Sequence, residues 1–131
     1  MTSRVLLDTH AFLWALSDSP RLSAAARRVF LDQDRRLLLS TASVWEMAIK
    51  SSLGRLTLAK PLGAFLDEQL ALNGIEILDV RRAHAERVAT LAFHHRDPFD
   101  RLLVAQATFE RLPLLSADET LDRYEGLDRR W

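Results

Sequence analysis

Cysteine does not occur in the 131 residues, which excludes a disulfide scaffold and any thiolate metal site. Glycine is limited to four scattered residues, so there is no Gly-rich loop to cradle a phosphate. No apolar run approaches the ~20 residues that span a bilayer. The N-terminus passes from Arg4 through Val5-Leu6-Leu7 to Asp8, too short a run for a secretory core. These absences predict a soluble cytoplasmic protein. Net charge is also missing: 18 basic residues balance 18 acidic ones, so the chain as a whole exerts no pull towards nucleic acid. Only Lys50 and Lys60 are lysines. An arginine-dominated set suits bidentate phosphate binding, but genomic base composition produces the same bias, and no function is assigned from it. The four histidines, His10, His84, His94 and His95, lack the H-x-x-x-H spacing of a helical zinc site.

With 48% hydrophobic and 27% charged residues, the chain reads as one globular domain over residues 1–131. Arg4 to Asp8 reads as a short buried strand, followed by a helix opened by Thr9 or His10 and running to Leu16. Ser23 caps a second helix to about Asp32. Leu37-Leu38-Leu39 is a second strand. The next helix, Val44 to Leu53, is stopped by Gly54, and Ser40, Thr41 or Ser43 can cap it. A cap at Ser43 makes Ser43-x-x-Glu46 a capping box; a cap at Ser40 or Thr41 leaves Glu46 without that explanation. Pro61 opens another helix that ends at Asn73-Gly74. Ile75 to Asp79 is a third strand, Arg81 to Phe93 is helical, and His94-His95-Arg96 is a polar loop. Pro113 to Ser116 forms a fourth strand, a short helix reaches Tyr124, and the tail from Glu125 to Trp131 is irregular. Strands alternating with helices predict a three-layer α/β/α sandwich with a mostly parallel, roughly four-stranded sheet.

The most informative stretch is Asp97-Pro98-Phe99-Asp100-Arg101-Leu102-Leu103-Val104-Ala105-Gln106-Ala107. Asp97 is a good N-cap and Pro98 fits the first helical position, where its missing N–H costs nothing. Asp100 then lies in the first turn. The helix dipole favours a negative charge there by only ~0.3–1 kcal/mol, a weak reason for choosing it. In an open parallel sheet, sites form beyond the carboxyl ends of the strands. Asp8 ends the first strand and Asp118 follows the last. Glu46 lies on the helix after the second strand, and Asp100 opens the helix before the last. Each acid alone is readily explained as a cap. Four converging at one sheet edge would repel one another. Mg²⁺ or Mn²⁺ removes that cost, since both take oxygen ligands, and such a centre suits phosphodiester hydrolysis.

Val5-Leu6-Leu7-Asp8-Thr9-His10, Ser43 to Lys50, His94 to Arg101 with its helix, and Leu115-Ser116-Ala117-Asp118 together resemble the PIN-domain family, in particular its VapC branch, the toxins of bacterial VapBC toxin–antitoxin pairs. The resemblance runs in order from the first strand to Tyr124. It implies a Mg²⁺-dependent endoribonuclease that hydrolyses RNA with metal-activated water and leaves 5′-phosphate and 3′-hydroxyl ends. Asp8 and Asp100 would be the main metal ligands, with Glu46 and Asp118 completing the shell. Thr9 or Ser116 would hold a water or a carboxylate. Asp97 would be a cap first. Arg81, Arg82, Arg96 and Arg101 are candidate RNA contacts. The resemblance also implies a homodimer and a VapB-like antitoxin whose tail covers the acidic cleft, with Trp14 and Trp45 either lining an apolar groove for that tail or filling core.

Two rivals follow from the residues, the first a phosphoryl-handling α/β domain, either a phosphatase or a receiver. A haloacid-dehalogenase-like phosphatase needs a second aspartate two places after the first, where this chain has His10. A response-regulator receiver needs a lysine near its end, and none follows Lys60. The second rival is a non-catalytic RNA- or protein-binding domain of the same fold.

Overall fold

The computed structural model describes residues 3–131. Its centre is a parallel sheet in the order β3-β2-β1-β4-β5, formed by β1 (Ser3–Leu7), β2 (Arg35–Ser40), β3 (Ile75–Leu78), β4 (Leu114–Leu115) and β5 (Arg129–Arg130). The helices are α1 (Thr9–Leu16), α2 (Ala24–Leu31), α3 (Thr41–Ser52), α4 (Leu62–Asn73), α5 (Arg82–Val88) and α6 (Pro98–Glu110), with a 3₁₀ turn at Glu119–Arg123. Side chains alternate across each strand, so one strand feeds two cores. Val5, Leu7, Leu37 and Leu39 pack on one face with Phe12, Met47 and Leu66. Leu6, Leu38 and Leu114 pack on the other with Leu103, Val104, Leu121 and Tyr124. The continuous apolar reading of β1 and β2 therefore arises from burial on both faces, and the three-layer α/β/α sandwich follows.

Three boundaries depart from the sequence reading. The sheet has five strands rather than four, because the tail is not irregular: β5 pairs in parallel with β4, matching Leu114 to Arg129 and Leu115 to Arg130. Two arginines carry no strand signal, and the pairing is held by tertiary contacts instead. Arg129 binds Asp122 through two nitrogens at 2.7 and 3.0 Å, and Trp131 meets Trp14 edge-on at 5.8 Å. Second, α5 stops at Val88 rather than at Phe93. The Arg101 guanidinium takes the carbonyls of Val88 and Ala92 at 3.4 and 3.0 Å, satisfying groups that further helix would have bonded. Third, α3 begins at Thr41, and its cap is Ser40, whose hydroxyl accepts from the Ala42 N–H at 3.0 Å. Ser43 is thus inside the helix, and Glu46 has no capping role.

Candidate active site

The strand order fixes where a site can form. β1 leads to β2 and β3 on one side and has β4 and β5 on the other. Connections leave in opposite directions at the β1–β4 boundary, opening a crevice at the carboxyl ends of these two strands. Asp8 follows β1, and Ser116, Ala117 and Asp118 follow β4. The first turn of α6 comes alongside with Asp100. An open crevice of about 280 Å³ is lined by Asp8, His10, Trp14, Asp100, Ala117 and Asp118.

Each carboxylate is fixed by its own local structure. Asp8 caps α1, accepting from the Ala11 N–H at 2.6 Å, and is almost fully buried. Burial pushes its carboxyl up; the Ser116 hydroxyl, the Ala11 N–H and the His10 charge oppose this. Asp97 caps α6, accepting from the N–H groups of Phe99 and Asp100 at 2.9 and 3.3 Å, and its cap role is met in full. That leaves Asp100 free of capping. Its carboxyl is pushed up to about 7, first by burial and then by the negative charges of Asp97, Asp8, Glu46 and Asp118. Asp118 opens the 3₁₀ turn, accepting from the Thr120 N–H at 3.0 Å.

Glu46 is placed differently. Its Oε1 accepts from the Thr9 hydroxyl at 2.7 Å, and its Oε2 pairs with Lys50 Nζ at 2.8 Å. Both oxygens are engaged, and Glu46 does not line the crevice, although its charge reaches Asp8 and Asp100. Thr9 and Ser116 thus each hold a carboxylate, Glu46 and Asp8 respectively. The structure brings Asp8, Asp100 and Asp118 together and sets Glu46 behind them.

Of the four arginines considered for RNA, Arg101 is buried and serves as the clamp on α5 already described. Arg81 pairs with Glu110 at 3.4 Å and Arg82 with Glu86 at 2.8 Å; Arg96 is exposed. Trp14 is half-buried, lining an apolar groove of about 340 Å³ with Leu13, Leu16, Leu56, Leu58 and Phe65. Trp45 is 61% exposed and sits edge-on to Phe99 at 5.3 Å, in a second apolar hollow on the α3–α6 face.

The sequence reading passed over His95 and Tyr124. His95 comes within 3.7 Å of Asp100 Oδ2. One ligand-type atom from each of His95, Asp100 and Asp118 lies within 4.8 Å of the others. The run His94-His95-Arg96 is polar and reads as solvated loop. Burial of His95 comes from Tyr124, far along the chain, and no local pattern announces it.

The donor set fits a hard divalent cation. Among the described residues, no Lys or Arg forms an ion pair with Asp8, Asp100 or Asp118. Arg129, whose charge lies near Asp118, is committed to Asp122. Three carboxylates around one crevice, one of them driven to about 7 by burial and then by its acidic neighbours, form an oxygen-rich pocket that a cation would relieve.

An acid after β1, another after β4 and a capped acidic helix beside them define an α/β domain with an acidic crevice at its switch point. Comparison with known proteins narrows this. The PIN-domain family model matches residues 5–127, and the chain belongs to that family. It is 32% identical over 117 residues to Ribonuclease VapC22 of Mycobacterium tuberculosis, covering 89% of this chain and 88% of that one. It is also 36% identical over 69 residues to Ribonuclease VapC16 of the same organism, a match spanning 50% of this chain and about half (49%) of that relative. Among solved structures, VapBC2 from Rickettsia felis bound to a promoter DNA fragment superposes with a TM-score of 0.72 at 15% identity, covering 97% of each chain. DNA-bound VapBC from Salmonella typhimurium superposes at 0.69 and 16% identity, covering 99% and 98%. At these identities the two structures speak to the fold alone.

Proposed function

We propose that this chain is a divalent-metal-dependent endoribonuclease, the toxin of a type II toxin–antitoxin pair. The observation that carries the reading is the convergence of Asp8, Asp100 and Asp118 on one crevice, with no Lys or Arg paired to them among the described residues. The curated relatives named as ribonucleases support the substrate class. Asp8, Asp100 and Asp118 would hold Mg²⁺ (or Mn²⁺), and Glu46 would contribute through its field and its grip on Thr9. When bound, such an ion supplies Lewis acidity that makes water nucleophilic at neutral pH and offsets charge on a leaving oxygen.

The remaining chemistry belongs to the chain. Asp97 and the first turn of α6 fix the Asp100 backbone. The Ser116 hydroxyl and the Ala11 N–H orient Asp8, so the acids are set before substrate arrives. Hydrolysis forms a bond from water oxygen to phosphorus and breaks the P–O3′ bond, giving 5′-phosphate and 3′-hydroxyl ends. An open crevice admits single-stranded or looped RNA, whose phosphates are accessible and whose bases can be splayed. Exposed Arg96, four residues before Asp100, is the best placed of the candidate arginines to meet a backbone phosphate.

The partner reading rests on adjacency. Trp14 lines both the apolar groove and the acidic crevice. A VapB-like antitoxin tail lying in the groove would carry an arginine to the carboxylates. The exposed Trp45–Phe99 hollow suits the homodimer. No helix among the described residues is long and apolar enough to cross a membrane.

The test is cleavage of total RNA by purified protein. Cleavage with Mg²⁺ that disappears in EDTA and in Asp8→Asn and Asp100→Asn supports the reading, with losses of at least ~10²-fold expected for a group acting at the reacting centre. RNA binding without cleavage in any divalent metal would favour a non-catalytic binding domain instead.

A further inference from the structure

His95 sits beside Asp100, outside the crevice lining, with an odd hydrogen-bond balance. Its side chain is 15% exposed. Its Nδ1 is 2.9 Å from the Tyr124 hydroxyl, and Arg101 Nη1 donates to that same hydroxyl at 3.2 Å. Its Nε2 is enclosed and has no hydrogen-bond partner among the described residues. The acceptor in reach is Asp100 Oδ2, at 3.7 Å.

Proton accounting assigns the ring. A guanidinium only donates, so the Tyr124 oxygen accepts from Arg101. Tyr124 is buried, and its own proton must also be placed. His95 Nδ1 is the acceptor beside it. With Nδ1 accepting, the neutral ring carries its hydrogen on Nε2. An Nε2–H has no lone pair for a metal, and a sealed nitrogen cannot meet an RNA oxygen. At 3.7 Å the contact to Asp100 is too long for a hydrogen bond, and a bond there requires the Asp100 carboxylate to turn towards the ring.

We propose that Arg101, Tyr124 and His95 form an orienting relay behind Asp100, in which the His95 Nε2–H holds one carboxylate oxygen and leaves the other facing the crevice. His95 is then a positioning residue and not a metal ligand. The proposal rests on reading Asp100 as a functional carboxylate. It gives Arg101 a second task beside its clamp on α5. Because Arg101 directly follows Asp100, the same turn of α6 supplies both the carboxylate and the first donor of its relay.

The experiment combines imidazole ¹⁵N–¹H NMR of the full chain with kinetics. In metal-free protein at pH 8, the His95 proton is expected on Nε2, and Tyr124→Phe should redistribute it towards Nδ1. Titration with Mg²⁺ should leave the Nε2–H in place. A proton on Nδ1 in the unmodified chain, or loss of the Nε2–H on adding Mg²⁺, would overturn the proposal. In RNA cleavage, His95→Ala should lower kcat about tenfold to a hundredfold, the usual cost of removing a group that orients a metal-binding side chain, with KM little changed. His95→Gln carries an amide N–H of similar reach and should recover most of that loss; a folded Gln variant no better than Ala would also overturn the proposal. An unmodified chain that shows the Nε2–H yet cleaves no RNA would support the relay and remove only the nuclease reading.

Discussion

Asp100 is held in a place unfavourable to its own ionisation. Its carboxyl titrates at about 7 in the fold against an ordinary value of 3.8, through burial and four neighbouring acids. The folded chain therefore keeps this proton to higher pH than the unfolded chain does. Stability from this group is complete below about 3.8, is lost as pH rises towards 7 and is constant above. Burial acts on Asp8 in the same direction. Metal-free protein should thus melt lower at pH 8 than its Asp100→Asn variant, with the gap shrinking at pH 5, as thermal melts in EDTA would show. Mg²⁺ binds the ionised form, so its stabilisation of the unmodified chain should be larger at pH 8 than at pH 5. A gap that widens on acidification would contradict this assignment. Asp97 shows how much was legible at this scale: cap chemistry is local, and Asp-Pro-x-Asp names both the capping acid and the free one. Glu46 was ambiguous because three candidate caps, Ser40, Thr41 and Ser43, preceded it, and only the Ser40–Ala42 bond decides among them. His95 was invisible because its burial depends on Tyr124.

Elements owe their ends to contacts as much as to propensity. The Arg81–Phe93 segment has helical composition throughout, yet α5 ends at Val88, where Arg101 takes the last carbonyl of the helix and that of Ala92 beyond it. At its other end, the Arg81 N–H donates to His84 Nδ1 at 3.0 Å, and His84 Nε2 meets Glu110 at 2.9 Å, locking α5 to α6. Arg101→Met keeps much of the volume of this buried side chain but removes its donors. It should destabilise the fold by about 2–4 kcal/mol, read by urea unfolding, and increase amide exchange over residues 89–97. A change below about 0.5 kcal/mol, the range of ordinary surface substitutions, would mean the guanidinium does not hold this segment. The cap at Ser40 gives a smaller effect: Ser40→Ala should cost ~1 kcal/mol. Helix starts were readable because caps are encoded within a few residues. The α5 stop and the β5 strand were not, since each is imposed by a side chain from elsewhere.

At the scale of the molecule, the fold converts a neutral chain into a locally acidic one. Net charge is zero, but the parallel sheet places acids from β1, β4 and α6 at a single switch point. The alternation of strands and helices predicted four acids at that edge, because strand ends share one edge in any such sheet; three of them line the crevice and Glu46 is engaged by Thr9 and Lys50 instead. Assembly surfaces were less legible, since Trp14 and Trp45 look alike in sequence. Only the fold separates a half-buried tryptophan beside the crevice from one that is 61% exposed on α3. If the Trp45–Phe99 hollow joins two copies, Trp45→Glu should shift the mass measured by light scattering from dimer to monomer while far-UV circular dichroism is unchanged; a persistent dimer would place the interface elsewhere. The central claim is that the crevice is a divalent-cation centre, and anomalous diffraction from crystals soaked in Mn²⁺ tests it most directly. The expected result is a peak among the side chains of Asp8, Asp100 and Asp118, lost in Asp100→Asn. An empty crevice at saturating Mn²⁺, or a peak confined to other surface acids, would contradict it.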